Sequence, residues 1–365
     1  MNSFGRIFRV SLYGESHGPE IGVVIDGVEP GIALSESDFL ADIARRRSGA
    51  KGTTPRIEAD LPQIRSGVFQ GRTTGAPLTV AFANTNTQSA DYAQFRETPR
   101  PGHADFTADL KFGGFNDPRG GGHFSGRLTL PLVAAGVVAK KILAETVAEE
   151  TAGHVTFSAS AKIVELGGVS RADALQRAAG AVPEGPSTPA AEAALWAKEL
   201  EAAAAEGDSL GAVVECVLDG LPAGLGEPFW DSIESRIAHA MFAIPGVRGV
   251  EFGDGFAAAR MRGSEHNDPF DLAGTHHGPR LTPSAANHAG GVNGGIANGN
   301  PIVFRVAFKP TSSIRKAQRT ATLGSAAGMT DFVVPGRHDV CFALRAPVVV
   351  EAAAAITLAD FIDIA

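Results

Sequence analysis

The sequence predicts a single domain of the α+β class. Three observations carry this. The 365 residues are 44% hydrophobic, enough to bury a sizeable core. Strand-like and helix-like segments occur in mixed order and do not alternate regularly. No internal repeat and no long linker divides the chain.

The elements follow in order. Residues 7–12 (IFRVSL) and 21–28 (IGVVIDGV) read as strands around a loop holding GESHG, residues 14–18. Ser35 to Arg47 reads as a helix: Ser35 is a capping residue, and Phe39, Leu40 and Ile43 form an apolar face. Arg45, Arg46 and Arg47 close it, where positive charge suits a helix C-terminus. Residues 48–67 are polar and turn-rich, and 77–83 (PLTVAFA) read as a strand. Residues 84–127 read as loop by composition, and so long a loop points to function or to disorder. Leu128 to Val147 reads as a buried helix, apolar on nearly every side until Lys140.

Residues 154–166 read as a strand. The Ala- and Glu-rich stretch 170–207, with Glu192 to Glu206 as an exposed helix, reads as part of a peripheral excursion over about 150–210. Residues 211–219 read as a strand, Ile233 to Phe242 as a helix, 262–300 as loop-rich, and 301–308 as a strand leading into KPTSSI. The last 30 residues read as a turn followed by a mixture of helix and strand.

Composition excludes several function classes. The net charge is -8, which argues against a nucleic-acid partner. Two cysteines, Cys216 and Cys341, are too few for a disulfide framework and suggest a reducing compartment. The first residues contain no continuous apolar stretch, and no window approaches the roughly 18 apolar residues of a membrane span. A soluble, cytoplasmic protein with no membrane partner is expected. Glycine is abundant, 44 residues, and clustered, as expected where backbone approaches a ligand.

Several clusters carry chemistry. His17 lies between glycines in GESHG, where a loop imidazole suits proton transfer; a surface turn is the plain alternative. His103 lies in RPGHAD (100–105), with Asp105 placed to orient it. RGGGHFSGR (119–127) exposes successive amides ahead of a helix, with Arg119 and Arg127 at its ends, which suits phosphate or a cofactor. Arg45, Arg46, Arg47, Lys51 and Arg56 are a basic cluster that suits carboxylate and phosphate. Lys309, Thr311, Ser312 and Ser313 place an ammonium and three hydroxyls within five residues. GRHD (336–339) holds Arg337, His338 and Asp339. His266 and the THHG at 275–278 raise a metal, but without HExxH or a cysteine pair no metal site is assigned.

Taken together, these segments resemble the chorismate synthase family. The resemblance rests on GESHG, RRR at 45, RPGHAD, RGGGHFSGR, GVEFGDGF at 249, GGVNGGIANGNP at 290, KPTSSI at 309 and GRHD at 336. They occur in the family's order and span the chain except about 150–210. The resemblance implies a β-α-β sandwich, a homotetramer, and 1,4-anti elimination of phosphate from 5-enolpyruvylshikimate 3-phosphate to give chorismate. It implies reduced FMN without net redox change, the flavin lending electron density as phosphate leaves and recovering it as the C–H bond breaks.

Residue by residue, the resemblance assigns proton transfer to His17, His103 and Asp339. It assigns flavin contacts to His123, Phe124, Ser125, Gly294, Lys309, Pro310, Thr311, Ser312, Ser313 and Arg337. Arg46 matches a position for substrate or nicotinamide cofactor; Arg127 and Arg345 are candidates by charge, and Lys51 stands in for a family arginine that falls on Gly52. The chain departs from the family at His123–Phe124, where relatives carry Arg-Ser, and at Pro245–Gly246, where they carry Asn-Ala. No nicotinamide-binding segment is read, so an external flavin reductase is an implied partner; Arg46 leaves NADPH open as a reductant. A flavin-binding redox or carrier protein is the competing reading, and it leaves His17, His103 and Asp339 without a task.

Overall fold

The computed structural model describes residues 2–54, 58–85, 90–177, 187–275, 278–323, 327–336 and 338–362. Two five-stranded antiparallel sheets enclose a layer of helices. In the first sheet, strand Glu20–Asp26 lies between Arg9–Gly14 and Leu78–Ala83, with Val23 opposite Leu12 on one side and Val80 on the other. Ser3–Phe4 and Gln63–Ser66 complete its edges. Ile21, Val23 and Ile25 point to one face and are fully buried, as the two-residue period of a strand requires.

The second sheet centres on Ala212–Asp219 and Ile302–Phe308, flanked by Ser158–Leu166 and Val247–Phe252, with Val169–Ser170 at one edge. Ile302, Phe304, Val306 and Phe308 alternate inward with half-buried neighbours, so only one face of this strand is sealed.

The helices in chain order are α1 (Leu40–Arg46), α2 (Asp105–Phe112), α3 (Thr129–Glu150), α4 (Arg171–Arg177), α5 (Pro189–Leu195), α6 (Ala197–Ala205), α7 (Ile233–Phe242), α8 (Gly263–His266) and α9 (Pro347–Ile362). Helix α3 packs under the first sheet and α9 under the second, and the two cross each other at the centre. A Cβ on Gly136 would lie 2.5 Å from the Ala352 Cα, so the crossing needs glycine there. Every residue of α9 from Pro347 to Phe361 is buried, which a helix apolar on all sides demands.

Two buried carboxylates on α9 tie the layers together. Glu351 accepts both Nη atoms of Arg45 at 2.7 Å, Lys140 Nζ at 3.0 Å and the Ala161 amide at 2.8 Å. Asp360 Oδ1 accepts the consecutive amides of Arg6, Ile7 and Phe8 at 2.6, 2.7 and 3.1 Å, and its other oxygen takes Arg236 at 2.7 Å.

The sandwich predicted by the family resemblance is the observed architecture, and one continuous core runs through both sheets. Three local expectations are corrected. The 84–127 stretch is not mainly loop: it holds α2 and short 3₁₀ turns at Ala90–Arg96, Arg119–Phe124 and Gly126–Leu128. Helix α2 hides from a periodicity reading because Phe106 and Leu110 face solvent and only Ala108 is buried. Residues 192–206 are not one exposed helix but α5 and α6, broken at a fully buried Trp196; Glu192 is buried, accepting from Arg171, Ser187 and the Trp196 indole. The final segment is a short 3₁₀ turn and one long helix, with no strand among its described residues. Both cysteines are buried and unpaired, and burial pushes the Cys341 thiol up to about 12. Among the described residues no helix is long and apolar enough to cross a membrane.

Candidate active site

The glycine turn in RGGGHFSGR sits between two imidazoles. Gly120, Gly121 and Gly122 have φ of 61, 81 and 54°, values that only glycine adopts freely. A Cβ on Gly120 would come within 2.6 Å of His17 Cδ2 and 2.7 Å of Ser16 Oγ. One on Gly121 would lie 3.4 Å from His103 Cε1, and one on Gly122 would overlap the Asp117 carbonyl. The Ser16 amide donates to the Gly122 carbonyl at 3.1 Å, joining the GESHG loop to the turn. His17 is buried, its ring edge-on to Tyr92 at 5.1 Å.

His103 is oriented from its own loop. Its Nδ1 lies 2.7 Å from Asp105 Oδ1. Arg100 grips the same carboxylate through Nε and Nη2, both at 2.8 Å, and its guanidinium stacks 4.4 Å from the Phe95 centroid. Burial alone would raise the Asp105 carboxyl, but hydrogen bonds from Arg100 and His103 outweigh it and hold the group far below the usual carboxylate range. An imidazole whose Nδ1–H is committed to a carboxylate presents Nε2 for chemistry.

A cluster of arginines adjoins this pair. Helix α1 buries Arg46, whose Nε donates to Thr129 Oγ1 at 3.1 Å and Nη2 to the Gly126 carbonyl at 2.8 Å. Burial, then the like charges of Arg345 and Arg127, push its guanidinium down to about 9. Arg127 donates to Asp60 Oδ1 at 2.8 Å and Asn84 Oδ1 at 2.7 Å, and pairs with Glu58 at 2.9 Å. Asn84 also donates to the Glu15 and Gly18 carbonyls, bracing the His17 loop. Arg345 donates to Asp339 Oδ2 at 2.6 Å, and the Thr54 amide donates to Oδ1 at 2.7 Å, so both oxygens of Asp339 are engaged.

Of the other predicted residues, several turn away from this cluster, while the KPTSSI segment meets the His103 loop at Gly102. Arg45 turns to Glu351 and Arg47 to the Ala59 carbonyl. Lys51 is exposed and paired with Glu201, outside the arginine cluster. His123 turns its ring to the Gly14 carbonyl (2.8 Å) and Asn2 (3.2 Å). Phe124 is partly exposed beside Phe112. Ser125 Oγ accepts the Arg127 amide. Gly294 is on a hairpin turn with open space beside its Cα. In KPTSSI, Lys309 Nζ donates to Ser312 Oγ and the Gly102 carbonyl, Ser313 is buried, and Pro310 packs at Gly211. Burial, with Arg248 nearby, lowers the Lys309 ammonium. Arg56, Arg337, His276 and His277 lie outside the described residues. Among the described residues no group of three or more His, Cys, Asp or Glu is placed to hold a metal.

Sequence reasoning missed Ser16, Glu58, Asp60, Asn84 and Tyr92. Asp60 carries a faint signal only in the structure: it is a buried non-glycine residue at φ 49°.

The family model for chorismate synthase matches residues 8–362. The chain belongs to the chorismate synthase family. It is 56% identical to a chorismate synthase of Chitinophaga pinensis over 99% of this chain and 96% of the relative. It is 46% identical to one of Korarchaeum cryptofilum over 98% and 96%. Its fold matches a crystal structure of chorismate synthase with a TM-score of 0.69 at 26% identity, covering 98% of this chain and 92% of that one. As a chorismate synthase the protein is a lyase acting on a phosphate ester, at the final step of the shikimate pathway.

Proposed function

We propose that this site eliminates phosphate from 5-enolpyruvylshikimate 3-phosphate with reduced FMN bound, and that His17 and His103 move its protons. The observation that carries the reading is the pair of imidazoles on either side of one glycine turn, with buried arginines beside them. His103 offers Nε2 because Asp105 occupies Nδ1. Arg46, Arg127 and Arg345 hold the substrate's carboxylates and phosphate. Asp339, fixed by Arg345 and the Thr54 amide, is the third group of the proton path.

The KPTSSI residues suit a flavin phosphate. Lys309 rests on two neutral acceptors and keeps its charge for an anion, and Thr311 Oγ1 is buried without a partner among the described residues. Lys309, Thr311, Ser312 and Ser313 would hold FMN, joined by Ser125 and Arg337. Reduced flavin, when bound, supplies the electron density that lets phosphate leave. The reading extends to a cytoplasmic location and to a homotetramer, the association supported by Phe115, Phe229, Trp230 and Phe256, which are 95, 85, 89 and 78% exposed.

The test is anaerobic phosphate release with photoreduced FMN and an oxidised-FMN control. Phosphate and chorismate only with reduced flavin is the expected result. No phosphate from folded, FMN-binding protein overturns it in favour of a flavin carrier. NADPH in place of light then decides between self-reduction and an external reductase.

A further inference from the structure

Lys309 and Ser312 converge on one atom, the carbonyl oxygen of Gly102. The lysine Nζ donates to that oxygen and to Ser312 Oγ at 2.7 Å, and Ser312 Oγ donates to the same carbonyl at 2.9 Å. Gly102 has φ 68°, and a Cβ there would lie 3.5 Å from Ser312 Oγ and 3.8 Å from Lys309 Nζ. The next residue is His103. Its remaining restraints are local: its amide donates to the Arg100 carbonyl at 3.1 Å, and its ring meets Asp105, Arg100 and Gly121.

The KPTSSI segment is itself anchored. The Lys309 amide donates to the Gly246 carbonyl at 2.9 Å, and Ser209 Oγ donates to the Thr311 carbonyl at 2.8 Å. Lys309 directly follows strand Ile302–Phe308 of the second sheet. The Gly102 carbonyl thus ties the His103 loop to the segment that follows the second sheet, while further upstream Glu97 and Thr98 bond to Leu323 and Thr322.

We propose that Lys309 and Ser312 are positioning residues for His103, forming a clamp that sets the ring against the glycine turn with or without flavin. This rests on the proton-transfer role proposed above for His103. A reacting group displaced by about 1 Å loses on the order of 10² in rate, so a backbone clamp one residue away matters to turnover. Asp105 fixes how the ring is turned; the clamp fixes where it stands.

The test uses the flavin-free protein. Long-range ¹H–¹⁵N spectra, with His103 assigned through His103→Asn, report the ring's surroundings and tautomer. Ser312→Ala, which keeps the lysine charge, and Lys309→Met should each move the His103 signals. The double variant should move them at least as far as the larger single change, because either group alone still holds the oxygen. Thr311→Ala, on the same segment but with no side-chain contact to Gly102, should leave them in place. With reduced FMN saturating, Ser312→Ala should lower kcat about tenfold or more. Unmoved His103 signals in folded Ser312→Ala and Lys309→Met, checked by circular dichroism, overturn the proposal and leave the two residues as flavin contacts alone. Failure of the reaction itself reads differently: the unaltered protein would release no phosphate.

Discussion

Replacing Gly120 with alanine tests the site at its tightest point. The new Cβ would stand 2.6 Å from His17 Cδ2 and 2.7 Å from Ser16 Oγ, well inside contact distance. Neither neighbour can give way cheaply, since both are buried and His17 is held against Tyr92. Alanine at φ 61° also carries about 1–2 kcal/mol of left-handed backbone strain. Stability should fall by at least that amount in denaturant melts. A displaced imidazole should lower kcat on the order of 10²-fold in the anaerobic phosphate assay. Gly121→Ala carries similar strain, but its Cβ would only touch His103 at 3.4 Å, so its loss of kcat should be smaller. Gly126→Ala is the control, with ordinary backbone and nothing within 4 Å of its Cβ, and should be silent. Gly120→Ala with unaltered kcat would refute the reasoning, because His17 would then not need the place it occupies.

Burial and the charges of Arg345 and Arg127 push the Arg46 guanidinium down to about 9, so the expected outcome is a KM that rises as pH climbs through about 9 with little change in kcat; Arg46→Gln should show a raised KM with no such inflection. Asp105 is held below its ordinary value of 3.8, so the stability it adds is present above about 4 and is lost as pH falls towards its folded value. The stability gap between the unaltered protein and Asp105→Asn should therefore be widest near neutrality and close in acid, as unfolding free energies at several pH values would reveal. Glu351→Ala leaves Arg45 and Lys140 without their buried partner and should cost about 3–5 kcal/mol in denaturant melts. A loss below 1 kcal/mol would show that water or a rearranged carboxylate replaces it.

Much of the fold was legible because burial writes a period into the chain. The alternation of Ile302, Phe304, Val306 and Phe308 announces a strand to within one residue of its ends, and the apolar run of α3 announces a buried helix whose end lies three residues beyond the Val147 read from the sequence. Helix α2 broke the rule by turning Phe106 and Leu110 outward, and Glu192 broke it by being buried with three donors. Of the site, His17, His103 and the glycine turn stood out because small residues flank reactive ones. The partners of the arginines did not. Arg127 meets Glu58 and Asp60 across about 70 positions, and Arg45 meets Glu351 across 306. Pairings of that span leave no local pattern, and Lys51 shows the converse: a basic residue near the right motif whose side chain points to Glu201.

The grip of Asp360 on the amides of residues 6–8 has a consequence for the order of assembly. The strand that leads to His17 is seated by a carboxylate near the end of the last helix, 352 to 354 positions later. Contacts of such separation close late, after the chain entropy between them has been spent. On the ribosome the reactive loop therefore waits for the final helix, and a chain shortened by a few residues within α9 would keep most of its sheets yet leave His17 without a fixed foundation.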